Sequence, residues 1–104
     1  MASPRVETLK NMLEQDPSNA FARYGLAMEY TNSGELEQAV AEYEKLLAAT
    51  PDYVAAYYHG GQALEKLGRP DDARAIYERG LAACRRKGDG HTASEIQACL
   101  DLLG

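Results

Sequence analysis

The sequence has no tryptophan, one phenylalanine, two cysteines and four prolines, and each scarcity removes a class of explanation. Two cysteines, Cys84 and Cys99, are too few for a disulfide framework, and neither stands in a CxxC or Cys/His spacing that holds a metal. Free thiols are the expected state, with one bridge between the last two helical segments as the alternative. Few prolines and no biased tract exclude a disordered or linker-like chain, since 45% of residues are apolar and 26% charged. No apolar run approaches the roughly 18 residues of a membrane span, and no apolar segment follows Arg5 as it would in a secretory signal. The expectation is therefore a cytoplasmic chain without a membrane partner. Basic residues are also in deficit, 11 against 16 acidic, for a net charge of −5. Nucleic acid and anionic membranes reward a basic field, so neither is the expected partner, whereas a basic peptide is better matched.

Chemistry-bearing residues are equally sparse. The two histidines, His59 and His91, have no Cys, Asp or Glu at a convincing metal spacing. No cofactor or metal is implied, and catalysis is not expected.

What is present is a repeat. Residues 17–50 set against 51–84, at an offset of 34, match Pro17 with Pro51, Ala22 with Ala56, Tyr24 with Tyr58, Gly34 with Gly68, Ala39 with Ala73, Tyr43 with Tyr77 and Leu47 with Leu81. A fixed period of this size is the signature of stacked supersecondary units. At 104 residues the chain reads as one domain. Its segments read as helices. Val6, Leu9, Met12 and Leu13 lie at helical spacing behind Ser3 as cap and Pro4 in the first turn, and Asp16-Pro17 ends that helix. Ser18 or Asn19 caps a second helix to about Asn32, burying Ala22, Leu26, Ala27 and Tyr30. Gly34 closes it, and a third helix over 35–49 buries Leu36, Ala39, Val40, Tyr43, Leu46 and Leu47.

The cycle then recurs. Pro51-Asp52 opens a helix to about Leu67, Gly68 ends it, and Pro70-Asp71-Asp72 starts another reaching about Arg86, with acidic residues at its positive end and Arg85, Arg86 and Lys87 at its negative end. Gly88-Asp89-Gly90 is a turn. A last helix over 91–103 carries Thr92-x-x-Glu95 as a capping box and Ala93, Ile96, Cys99, Leu100 and Leu103 as its apolar stripe. The expectation is all-α, with six helices and no strands.

A 34-residue helix–turn–helix repeat carrying Leu26, Ala27, Tyr30, Gly34, Ala39, Tyr43 and Pro51, then Tyr57, Gly61, Leu64, Gly68, Ala73 and Tyr77, resembles the tetratricopeptide repeat (TPR) family. The resemblance implies a right-handed superhelix of about six antiparallel helices: a half repeat over 5–15, full repeats over 18–50 and 51–87, and a capping helix over 91–103. The starting methionine and final cap fit a self-contained unit. Arg23 stands where the family often has tryptophan, Gly60 where it has leucine, and Arg85 where a proline closes the repeat. Two adjacent glycines inside a helix cost about 1 kcal/mol each relative to alanine, so Gly60-Gly61 implies either a close helix contact or a locally soft helix. With Arg85 in place of proline, the preceding helix is free to run on and the cap's phase shifts by about two residues.

The resemblance further implies a non-enzymatic interaction module in which the first helices of successive repeats line a concave groove for a peptide or partner protein. Phe21, Tyr24, Met28 and Asn32 would face it from the first repeat, and Ala55, Tyr58, His59, Gln62 and Lys66 from the second. The dicarboxylate clamp of some TPR domains needs Lys, Arg and Asn at groove positions held here by Tyr24, Met28 and His59, so no such clamp is expected. The alternative is a structural role in which short arrays, leaving repeat faces uncovered, self-associate into a homo-oligomer through groove or ends.

Overall fold

A computed structural model describes residues 3–104; Met1 and Ala2 lie outside the described residues. Six helices follow in order: α1 (Pro4–Gln15), α2 (Ala20–Asn32), α3 (Leu36–Ala49), α4 (Val54–Lys66), α5 (Pro70–Lys87) and α6 (Gly90–Leu103), with no strand among the described residues.

Each boundary has a local cause. Ser3 Oγ accepts from the Val6 amide at 3.2 Å, with Pro4 opening α1, and Asn19 rather than Ser18 caps α2 by accepting from the Ala22 amide at 3.0 Å. The matching position in the second repeat is Tyr53, which cannot cap, and α4 starts at Val54 without a side-chain cap, later than Pro51-Asp52 implied. Gly34 and Gly68 take positive φ values of 80° and 74°, which a side chain would resist, and so turn the chain between paired helices. Asp89 displaces the expected Thr92–Glu95 box: its carboxylate accepts from the Thr92 amide at 3.0 Å and from the Thr92 hydroxyl at 2.8 Å, so α6 begins at Gly90. Asp89 is able to cap because it stands immediately before the turn's last glycine, whereas Thr92 is already inside the helix. Arg85 does let the preceding helix run on, to Lys87.

Consecutive helices pack as pairs, and α2, α4 and α6 also approach one another directly. The backbones of α1, α3 and α5 do not approach each other; α3 and α5 are bridged by side chains such as Arg79 and Glu44, 3.3 Å apart. A row of helices that touches along one layer and spreads along the other curves with the touching layer inside. The helices α2, α4 and α6 therefore form the inner layer.

Between the layers lies one continuous core in which Tyr43, Tyr77, Leu46, Ile96 and Cys84 are the largest fully buried side chains. Burial of aliphatic side chains such as Leu46 and Ile96 contributes about 1.5–3 kcal/mol each. Leu36 and Val40, expected inside, are half-buried, because α3 turns their positions toward the open outer layer. Cys84 is buried and Cys99 half-buried, and both are free thiols. Burial, followed by the nearby Asp89 carboxylate, pushes the Cys84 thiol upward and keeps it protonated.

The Gly60-Gly61 pair marks a close contact. A Cβ at position 61 would lie 2.1 Å from Cε1 of Tyr77, so α4 and α5 meet through the missing side chain. At position 60 a Cβ would meet the mobile end of Ile76 at 3.0 Å. No helix among the described residues is long and apolar enough to cross a membrane.

Candidate functional site

The inner layer places Tyr24 at the middle of α2 and Tyr58-His59 at the middle of α4. The Tyr24 ring lies 5.9 Å from the His59 ring, and His59 meets Tyr58 edge-on at 5.1 Å. Three expected groove residues thus form one half-buried aromatic surface across two repeats. Behind them, Tyr24 packs on Tyr43 at 6.5 Å and on Tyr53 at 5.1 Å. Spacings of this order are those of favourable tilted aromatic pairs.

Tyr53 was not among the expected site residues. The signal was available, because it occupies the capping position held by Asn19 one repeat earlier. A tyrosine there has no capping function, and its ring is free to lie over Tyr24.

The phenols of Tyr24, Tyr43 and Tyr53 stay neutral. Burial, then the neighbouring Tyr43 and Tyr53, pushes the Tyr24 hydroxyl up to about 12. Burial likewise raises Tyr53, and it raises Tyr43 against the opposing influence of a hydrogen bond with Thr31. The Tyr43 hydroxyl lies 3.2 Å from the Thr31 hydroxyl and 3.1 Å from Met28 Sδ. Because Thr31 Oγ1 donates to the Ala27 carbonyl at 2.9 Å, the Tyr43 proton is the one left for Thr31 or Met28. Met28 is in this way tied to the core while half of it faces outward.

His59 is half-buried, and its imidazole is held below the ordinary histidine range by burial, partly opposed by Glu95 of α6. Among the described residues no cluster of three His, Cys, Asp or Glu side chains is placed to hold a metal.

The remaining expected residues lie apart from this centre. Phe21 is 67% exposed, one of two large apolar side chains so displayed among the described residues, the other being Leu102 on α6. Gln62 and Lys66 line a cavity of about 220 Å³ with Glu65 near the end of α4. Asn32 lines a cavity of about 200 Å³ with Ser3, Val6, Glu29 and Glu35, at the edge where α1 meets α2. Ala55 borders a depression of about 330 Å³ with Tyr53, Asp52, Lys87 and Asp89, among the inter-helix turns. The face is therefore an uncharged aromatic middle with polar flanks. The basic cluster at the end of α5 is partly engaged elsewhere: Arg86 Nε donates to Asp52 at 2.9 Å and its guanidinium reaches the Pro51 carbonyl at 3.4 Å.

Known proteins share this helical architecture. The family model described as tetratricopeptide repeat matches residues 24–88. A TPR repeat-containing protein of Pseudomonas aeruginosa is 31% identical over 98 residues, which cover 94% of this chain and 93% of that protein. The solution structure of a tetratricopeptide repeat domain protein from Salinibacter ruber superimposes with a TM-score of 0.79 at 38% identity, over 85% of this chain and 89% of that one. The TPR2B domain of yeast Sti1, solved as a complex with pHsp70, gives a TM-score of 0.88 at 18% identity, over 94% of this chain and 78% of that one, a likeness of fold. With its period, its helix pairs and these relatives in agreement, this chain is an all-α solenoid that belongs to the tetratricopeptide repeat family.

Proposed function

We propose that the chain is a non-enzymatic interaction module that takes an extended or helical peptide segment of a partner protein on the inner face of α2, α4 and α6. The observation that carries this reading is the Tyr24–His59–Tyr58 surface, which joins the first helices of both repeats. Aromatic side chains supply large contact area at low conformational cost and dominate interface energetics, and a methionine such as Met28 adapts to varied ligands. Phe21, Asn32, Gln62 and Lys66 would extend the contact at its margins. The Sti1 domain of like fold was captured with pHsp70, which supports a protein segment as the class of ligand. With Tyr24, Met28 and His59 at its centre, the face has no cationic grip for a terminal dicarboxylate.

The alternative of self-association through the ends is disfavoured by their chemistry. Helix α1 exposes Glu7, Lys10, Asn11 and Glu14, and α6 exposes Ser94, Glu95, Gln97 and Asp101 around a single large apolar side chain, Leu102. Polar outer faces of this kind are what terminal repeats need in order to stop an array.

The test is affinity capture from a lysate with the wild type and with the Tyr24→Ala/Tyr58→Ala double variant, each checked for helicity by circular dichroism. Loss of the captured partner with helicity intact is expected. Unchanged capture refutes the assignment of the face, and light scattering across concentration, expected to report a monomer, tests self-association.

A further inference from the structure

We propose that His59 is a proton-operated latch on this face: neutral, it lies against Tyr24 and Tyr58 and joins the exposed surfaces of α2 and α4; protonated, it leaves the tyrosines for water. The inference concerns regulation and rests on the binding-face reading only for its consequence, which is that acidification would alter the centre of the surface offered to a partner.

Position comes first. His59 sits in the helix flanked by both other inner helices, at the middle of the aromatic surface, with ring distances of 5.9 Å to Tyr24 and 5.1 Å to Tyr58. Its imidazole makes no hydrogen bond to the described residues, so what holds it is ring packing, and ring packing is what desolvation of a charge would oppose.

The groups around it can be named element by element. From α2 the imidazole meets Tyr24, with Tyr43 of α3 and Tyr53 of the α3–α4 turn behind that ring. Helix α4 itself contributes Tyr58. The charged group on α6 is Glu95, which also lies 3.9 Å from His91. Helix α5 faces α4 with Tyr77, whose hydroxyl is committed to Glu65.

Two influences therefore compete at His59. Removal from water favours the neutral ring, Glu95 favours the charged one, and removal from water is the larger. Protonation thus costs more in the packed position than in water. The imidazolium regains its hydration by swinging out. Histidine is the one side-chain type whose ordinary range puts this change between about pH 5 and 8, and among the described residues His59 is the histidine within the aromatic surface.

The experiment is an NMR pH titration of the free protein, following the imidazole C–H signals together with the ring signals of Tyr24 and Tyr58. A His91→Gln background leaves one histidine and makes the assignment unambiguous. The expected result is a His59 midpoint below the ordinary value of about 6.5, with the Tyr24 and Tyr58 signals moving at the same midpoint. In Glu95→Gln the midpoint should fall further, because the carboxylate that favours the charged ring is gone. A midpoint at or above the ordinary value overturns the latch, as do tyrosine signals that stay still while His59 titrates. No ligand is needed, so a failure of partner capture leaves this result standing, and a flat titration leaves the binding assignment standing.

Discussion

The first repeat, α2 with α3, and the second, α4 with α5, have the same frame and solve its packing with different chemistry. In the first, Arg23 pairs with Glu42 at 2.7 Å, both side chains largely buried at 18% and 13% exposure. At the matching positions the second repeat carries Tyr57 and Ile76, both buried. Arg23 also donates to the Pro17 carbonyl at 3.2 Å, and Tyr57 donates to the Pro51 carbonyl at 2.6 Å. One backbone acceptor, at the same place in the period, is thus satisfied by a guanidinium in one copy and a phenol in the other. The frame fixes where a donor is needed and leaves its identity open.

A second difference concerns the closest approach within each pair. In the first pair Ala27 and Tyr43 are both fully buried, and the Tyr43 hydroxyl is directed to Thr31 and Met28. The counterpart of Ala27 is Gly61, across which the ring of Tyr77 lies to reach Glu65. The longer Glu65 carboxylate replaces Thr31 as partner, and burial followed by that hydrogen bond keeps the Tyr77 proton tightly held.

The sharpest way to break this comparison is Gly61→Ala, which would put a Cβ 2.1 Å from the Tyr77 ring. Overpacking of a rigid aromatic costs about 1–3 kcal/mol or more. A fall of roughly 10 °C in Tm by calorimetry is expected for a domain of this size. The neighbouring Gly60→Ala is the control. There the Ile76 methyl needs to give way only slightly, and the helix-propensity gain of about 1 kcal/mol offsets the contact. If the two variants melt alike, the close approach at Gly61 is not what separates the repeats.

Removing one partner of the first repeat's ion pair comes next. Arg23→Met or Glu42→Leu alone leaves a largely buried charge without its hydrogen bond, at a cost of about 1.5–3 kcal/mol by urea denaturation. The double variant removes both charges but leaves the Pro17 carbonyl without the donor that Tyr57 gives Pro51, and should recover part of that loss. A smaller effect, about 1 kcal/mol, is expected for Tyr77→Phe, which deletes the donor to Glu65 and leaves the ring in place.

The smallest effect is the pH dependence set by His59. Its midpoint in the folded chain is depressed, so the unfolded chain binds more protons as pH falls from 7. The contribution of His59 to stability is complete above the unfolded value of about 6.5, declines as pH falls through it, and levels off below the folded midpoint. Denaturant midpoints measured from pH 8 to 5 should show this loss in the wild type, and His59→Gln should remove that part of the slope.

The frame was legible because it is written in local chemistry. Ser3, Asn19, Gly34 and Gly68 announce their helix ends, and the 34-residue offset aligns the rest. The Thr92–Glu95 capping box misled because two caps competed within four residues, and the outcome depended on where the turn placed Asp89. The aromatic surface was legible only in part. The repeat offset brings Tyr24 and Tyr58 to equivalent places on successive helices, and their junction through His59 follows once α2 and α4 lie side by side. Tyr53 was hidden because its position in the period normally serves the backbone. Asn32 was expected to face the groove with Tyr24; two turns farther along α2, it lines a cavity with Ser3 and Val6 at the α1 edge.

The two layers of helices differ in how they resist bending. Along the inner layer the helices touch, and along the outer layer their backbones stand apart, linked by exposed pairs such as Arg79–Glu44, which at a surface are worth about 0–1 kcal/mol. The chain is in effect a strip with a touching lining and an open back. Neighbouring pairs are tied mainly through α3 against α4 and α5 against α6, so any change of curvature has to loosen that packed middle and cannot be absorbed by the exposed outer pairs alone.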